Sequence, residues 1–145
     1  MAPKSKLPVP AEPVSELDRI TLAFRATGDG LWDWNLKTNQ VHFSPRWKGL
    51  LGLDEAQVSG SPEEWLGRVH PEDVHRLEAN VAAHVSGSEV NVICEHRLRH
   101  YDGSYRWYLA RGLAVRADDG SIARLVGTLT DINDRKQVEI GRAHV

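Results

Sequence analysis

The sequence predicts an α+β domain: a five-stranded antiparallel sheet with helices on one face and an N-terminal helix on the other. Three observations predict it. Two short alternating segments, Leu31–Leu36 and Val41–Phe43, flank a turn. Three helix starts follow, each built on a residue–proline pair: Ser44-Pro45, Ser61-Pro62 and His70-Pro71. Three longer alternating segments then close the chain, joined by turns that each carry an Asp-Gly step.

Ser15 is placed to cap a first helix. Its apolar positions Leu17, Ile20 and Phe24, with Ala23 beside them, form one stripe, and Gly28 and Gly30 end it. In Leu31–Leu36, Trp32 and Trp34 share one face and Asp33 and Asn35 the other, which is a strand pattern. Thr38-Asn39-Gln40 reads as the turn of a hairpin with Val41-His42-Phe43.

Ser44 precedes a proline at the first helical position. Ser61-Pro62-Glu63-Glu64 repeats that grammar, with Glu64 where a capping box wants it. His70-Pro71-Glu72-Asp73 opens a third helix, its acids expected in the first turn at the positive helix end. Val74, Leu77, Val81 and Val85 lie along one side of that helix, and Gly87 is expected to stop it.

Glu89–Arg99 puts Val90, Val92, Cys94, His96 and Leu98 on one face, and Glu95, Arg97 and Arg99 on the other. Tyr105–Arg116 carries Tyr105, Trp107, Leu109, Leu113 and Val115 at odd positions, and Tyr108, Ala110 and Gly112 at even ones. Ile122–Ile132 closes the sheet. Two apolar faces need cover on both sides. The helices between Pro45 and Val85 cover one; the N-terminal helix, or a second chain, must cover the other.

Composition narrows the function classes. The 145 residues suit one domain. The 18 basic and 20 acidic residues leave a net charge of -2, with no general field for nucleic acid or an anionic membrane. Arg97, Arg99, Arg106, Arg111 and Arg116 cluster beside aromatics, but the acids offset them. One cysteine, Cys94, excludes an internal disulfide and a multi-cysteine zinc site. No apolar run is long enough for a membrane span and no secretory leader opens the chain, so a cytoplasmic location is expected. No phosphate loop, H-E-x-x-H or G-x-S-x-G is present, and no enzyme activity is expected.

Both ends differ from the middle. Residues 1–14 are proline-rich and poor in large apolar groups, and read as a flexible arm. Pro10 and Pro13 also match a short proline-ligand pattern, the weaker reading. Residues 140–145, Ile-Gly-Arg-Ala-His-Val, resemble the translation of a common sequencing adapter. The native chain is then expected to continue past Glu139, with its output domain beyond.

Separated motifs now agree in order. Gly28-Asp-Gly-Leu-Trp-Asp-Trp-Asn35, Phe43-Ser-Pro-Arg-Trp47 and Val69-His-Pro-Glu-Asp73 resemble the PAS sensory domain. The stretch from His96 to Trp107 and the ending Gly127-Thr-Leu-Thr-Asp-Ile-Asn-Asp-Arg-Lys136 resemble its C-terminal PAC half. The resemblance spans about residues 15–136. It implies the PAS fold and a signal-input role, in which a ligand- or redox-dependent change is passed on, usually by a dimer. The implied partners are a second copy and a downstream histidine kinase, diguanylate cyclase or other cyclic-dinucleotide enzyme, reached through a linker helix that starts at 137–139. A ligand-free dimerisation module is the alternative. The family often ends its last strand Asp-Ile-Thr; here it is Asp131-Ile132-Asn133. Asparagine also caps helices, so the exit is expected to survive.

The cofactor is not named by the sequence. The resemblance argues against covalent flavin photochemistry: Trp65-Leu-Gly-Arg-Val69 lacks the required cysteine, and Leu129 stands where light-sensing relatives place a glutamine. His75 and His84 lie on the long helix where some relatives bind haem, but a packed or solvated histidine is the stronger reading. Cys94, His96 and His100 share a strand face, yet six residues of strand span about 20 Å, too far for one ion. Core packing is preferred and no metal site is assigned.

Three expectations follow. Cys94, His96, Leu98, Tyr108, Ala110 and Leu129 should line a small-molecule cavity between sheet and long helix, with His96 orienting the ligand. Leu17, Ile20 and Phe24 should pack on Trp107, Leu109 and Leu113 of the outer face, where a partner chain also docks. Asp131 should end the last strand and Asn133 should cap the linker helix, through which the signal leaves.

Overall fold

The structure, a computed structural model, describes residues 15–86 and 91–143. The arm at 1–14, the helix stop at Gly87, the strand start at Glu89-Val90 and the tail residues His144 and Val145 lie outside the described residues.

The order is α1 (Glu16–Thr27), β1 (Gly30–Asn35), β2 (Gln40–Phe43), α2 (Pro45–Leu50), α3 (Glu63–Leu66), α4 (Val74–Val85), β3 (Val92–Arg99), β4 (Tyr105–Arg116), β5 (Ile122–Asp131) and α5 (Asn133–Ala143). The strands form one antiparallel sheet in the order β2-β1-β5-β4-β3. The inner face carries α2, α3 and α4. The outer face carries α1 and α5.

Local chemistry sets the boundaries. Ser15 Oγ accepts from the Asp18 N–H at 3.1 Å, and Gly28 ends α1 in the left-handed region at φ 73°. Arg46 Nε then donates to the Gly28 carbonyl at 2.7 Å, which fixes that end of α1 against α2. Ser44 Oγ accepts from both Trp47 N–H and Leu31 N–H, so one hydroxyl caps α2 and ties it to β1.

Two helix starts differ from expectation. The Glu64 carboxylate does not close a box onto Ser61. It accepts from the Ser59 N–H and hydroxyl instead, while Ser61 Oγ accepts from the Glu63 N–H. Asp73 precedes α4 rather than sitting in its first turn, because Arg97 on β3 draws its carboxylate sideways. On α4, Leu77 and His84 are buried, whereas Val85 is exposed.

The inner core is aromatic. Trp32, Trp47 and Trp65 are buried, with ring centroids 4.9 Å apart for Trp32–Trp65 and 6.1 Å for Trp47–Trp65. Two glycines admit this mass. Gly112 and Gly127 pair across β4 and β5, and Trp32 stands opposite Gly127 on β1. A Cβ at Gly112 would lie 2.6 Å from Trp32 Cη2, so the indole rests on bare backbone. The Trp32 Nε1–H donates to the Thr128 carbonyl at 2.9 Å.

The outer face departs from the expected packing. No residue of α1 is buried: Leu17 is 72% and Ile20 46% exposed. Leu113 is 55% exposed. Phe24 alone of the stripe comes down, beside Leu31 and Leu113 in an open groove of about 760 Å3. The reason is geometric. Arg46 holds only the last turn of α1, and α5 already covers Trp107.

Candidate functional site

β3 carries the site on both faces. Cys94, His96 and Leu98 point inward and are buried; Glu95 and Arg97 point outward. Tyr108, Ala110 and Leu129 complete the inner set and are also buried. Register explains the grouping: Cys94 faces Ala110, His96 faces Tyr108, and Ala110 faces Leu129.

These six residues do not enclose a ligand-sized cavity. The space beneath the sheet shrinks to about 20 Å3, lined by tryptophans and aliphatics, with Ala110 the sole member of the six on its wall. That is room for about one water, in an apolar setting. The physical reason is volume. The concave space left by Gly112 and Gly127 is filled by Trp32, and Trp65 lies edge to edge with His96, the ring planes 26° apart and the centroids 6.0 Å apart. Tyr108 turns its hydroxyl onto the Leu50 carbonyl at 2.8 Å.

His96 is fully buried. Its Nε2 accepts from Trp65 Nε1–H at 3.0 Å. The ring proton therefore sits on Nδ1, which lies 3.2 Å from the Cys94 carbonyl and donates to it. Burial pushes its pKa down from 6.5 to about 4, only partly offset by that carbonyl and by Asp73, so the ring is neutral. Burial likewise pushes the Cys94 thiol up, while Arg76 Nη1 stands 3.5 Å from its sulfur.

The edge of β3 is locked by an ion pair. Asp73, 3% exposed, accepts from Arg97 N–H at 2.7 Å, Nε at 3.0 Å and Nη2 at 2.8 Å. Burial opposes its ionisation, but these donors outweigh that and hold its pKa at about 2. Arg76 pairs with the same carboxylate at 3.2 Å.

On the outer face β3 grips α5. Glu95 accepts from Arg135 and, at 3.1 Å, from Lys136 Nζ. The Arg135 hydrogen bond is the main reason its carboxyl is held below the ordinary value. Lys136 and Arg97 both lie over the Trp107 ring, 4.7 and 4.9 Å from its centroid. The strand-to-helix turn is built differently from expectation. Asp131 ends β5, and its Oδ1 accepts from the Asn133 N–H at 2.9 Å. Asn133 Oδ1 does not cap α5 but accepts from the Trp107 N–H at 3.1 Å, pinning α5 to β4.

The remaining candidates are scattered. His84 is buried on α4 and His75 exposed. The His100 ring covers Gly52, away from Cys94 and His96. Of the clustered arginines, Arg97 pairs with Asp73 and Glu72, Arg106 with Asp102, and Arg116 binds the Gly120 carbonyl. Sequence reading missed the Trp65–His96 bond, which joins residues 31 apart with no motif between them. It also missed the Glu95 grip, although the opposed charges of Glu95 and Arg135-Lys136 were a usable signal.

Comparison with known proteins places this architecture. The family model described as PAS fold matches residues 40–129. A sensory box histidine kinase/response regulator structure from Burkholderia thailandensis is 33% identical, with TM-score 0.76 over 86% of this chain and 92% of that one. The N-terminal domain of a diguanylate cyclase with PAS/PAC sensor from Marinobacter aquaeolei is 29% identical, with TM-score 0.67 over 74% of this chain and 98% of that one. The sensor protein FixL of Bradyrhizobium diazoefficiens is 31% identical over 115 residues, 77% of this chain and 22% of that protein. The chain spans less than a quarter of the length of the curated relatives it matches. The matched residues and the shared fold agree: the chain belongs to the PAS family, as a signal-input sensor domain.

Proposed function

We propose that this domain converts a change in its inner core into a movement of α5, which a downstream kinase or cyclic-dinucleotide enzyme reads. The observation that carries this reading is the double-sided role of β3. Cys94 and His96 face the core, and Glu95 between them holds Arg135 and Lys136 of α5. A displacement of β3 on its inner side reaches α5 through one residue. The mechanism is a population shift between docked and released α5. The input module covers 15–136, and α5 carries the exit on through 137–139. Catalysis belongs to the output domain. A cytoplasmic setting fits, and no helix among the described residues is long and apolar enough to cross a membrane.

Dimerisation belongs to the same proposal. Leu17 and Ile20 of the stripe and Leu113 of the outer face are left exposed within one chain, and a second copy supplies cover for them, with half-buried Phe24 and Leu109 at the border. The small inner cavity favours an input other than a bulky ligand, and gives the ligand-free dimerisation reading its support.

Hydrogen exchange at the α5 amides tests the coupling. Glu95→Gln should speed exchange across α5 while leaving β4 and β5 protected. Unchanged α5 protection in that variant would end this reading.

A further inference from the structure

Four tryptophans surround the inner core, and their indole N–H groups have different fates. Trp32 donates to a backbone carbonyl and Trp34 to the Asn39 side-chain oxygen. The buried Trp47 Nε1 has no hydrogen-bond partner among the described residues. Trp65 alone donates to a base, the unprotonated Nε2 of His96 at 3.0 Å. Trp65 also has two rings beside it, Trp32 at 4.9 Å and Trp47 at 6.1 Å. The half-buried Trp34 borders the same small cavity as Trp32 and Trp65, which continues the indole row toward solvent.

We propose that Trp65 and His96 form a proton-coupled one-electron redox pair, oxidised through the indole row by a one-electron oxidant in solvent. The oxidant gains one electron and Trp65 loses one. The Trp65 Nε1–H bond breaks, and its proton forms an N–H bond at His96 Nε2. The products are a neutral indolyl radical and an imidazolium. The imidazolium donates from both nitrogens, to Trp65 Nε1 and to the Cys94 carbonyl. The positive charge then rests on an imidazolium hydrogen-bonded at both nitrogens rather than on an indole with no such partners. The buried Asp73 carboxylate favours the imidazolium and Arg76 opposes it. Burial disfavours the imidazolium strongly, so reduction of Trp65 draws the proton back and the step is reversible.

The chemistry stands on these contacts alone; its use as a signal rests on the input-module reading. The new charge would arise on β3, one residue from Glu95 and its hold on α5.

The test is flash-quench oxidation of the whole chain with photogenerated ruthenium tris-bipyridine(III). Transient absorption distinguishes the neutral indolyl radical from its cation. The wild type should give a long-lived neutral radical that forms more slowly in heavy water. His96→Gln should lower its yield by about tenfold, the scale of one lost charge-assisted hydrogen bond, and Trp65→Phe, which removes the radical site, by at least as much. The heavy-water comparison needs no variant, so a folding failure cannot hide the answer. An equal neutral-radical yield in Trp65→Phe or in His96→Gln, or no slowing in heavy water, overturns the proposal. Either result leaves the α5 exchange experiment, and the input-module reading it tests, untouched.

Discussion

Lys136 Nζ stands 4.7 Å from the centroid of the Trp107 ring, joining the first turn of α5 to the start of β4. A cation over an indole contributes about 0.5–1 kcal/mol at a partly exposed site. Trp107→Ala should therefore cost little global stability yet fray α5. Far-UV circular dichroism should lose helix signal at a nearly unchanged unfolding midpoint. A large fall in the midpoint with α5 intact would show that Trp107 serves the sheet instead.

Acid should destabilise the fold in two steps. His96 is neutral when folded, with its pKa near 4, and takes a proton near pH 6.5 when unfolded. The unfolded state binds the extra proton, so stability falls as pH drops from 6.5 toward 4, by about 3 kcal/mol in all. Asp73, held near 2 against an ordinary 3.8, adds its loss below pH 3.8. Urea unfolding between pH 7.5 and 4.5 should show a steeper decline in wild type than in His96→Gln. Equal slopes would mean that His96 titrates in the fold as it does in the unfolded chain.

Gly127→Ala should be severe. The new Cβ would sit 1.8 Å from the Arg111 carbonyl oxygen and 2.7 Å from Trp32 Cζ2. Overpacking costs about 1–3 kcal/mol, and here backbone as well as ring must move. Trp32→Leu in the same chain should recover part of the loss, since it clears the ring but not the carbonyl. No recovery would place the whole clash in the sheet backbone.

Asp73→Asn leaves Arg97 without its buried partner. Breaking such a pair costs about 3–5 kcal/mol, with the lower end expected because Arg97 keeps some access to water. The β3 edge should open first. Exchange at the Arg97 and Arg99 amides, which now bond Asp73 and the Arg68 carbonyl, reads this directly.

Ile20→Glu, made together with Leu17→Glu, should lower the mass in light scattering from dimer to monomer without changing the unfolding midpoint of the monomer. Neither residue is buried within the chain, so the fold has nothing to lose. An unchanged mass would remove α1 from the interface.

The strands were legible because alternation is local. β4 begins at Tyr105 and ends at Arg116, as its odd–even pattern requires, and the inner set from Cys94 to Leu129 was on the right face. What could not be read was volume. Gly112 and Gly127 looked like room for a ligand. Only register shows that Trp32, some 80 residues before Gly112, lies across both. The Ser15 and Ser44 caps held, and the other two helix starts departed for a related reason. Asp73 and Glu64 had suitable local partners, but Arg97 and Ser59 offered better ones in the folded chain. The α1 stripe was visible as a stripe, while its cover depends on a surface that one sequence does not describe.

The hydrogen bond from Arg46 to the Gly28 carbonyl makes α1 a lever with its fulcrum at one end. Twelve residues of helix form an arm about 18 Å long, so a swing of about 10° at Gly28 carries Ser15 about 3 Å. Leverage also runs the other way. A load on the far tip of α1 is multiplied at Arg46, whose neighbour Trp47 is wedged in the aromatic core. Torque applied outside the domain thus has a mechanical route into its centre.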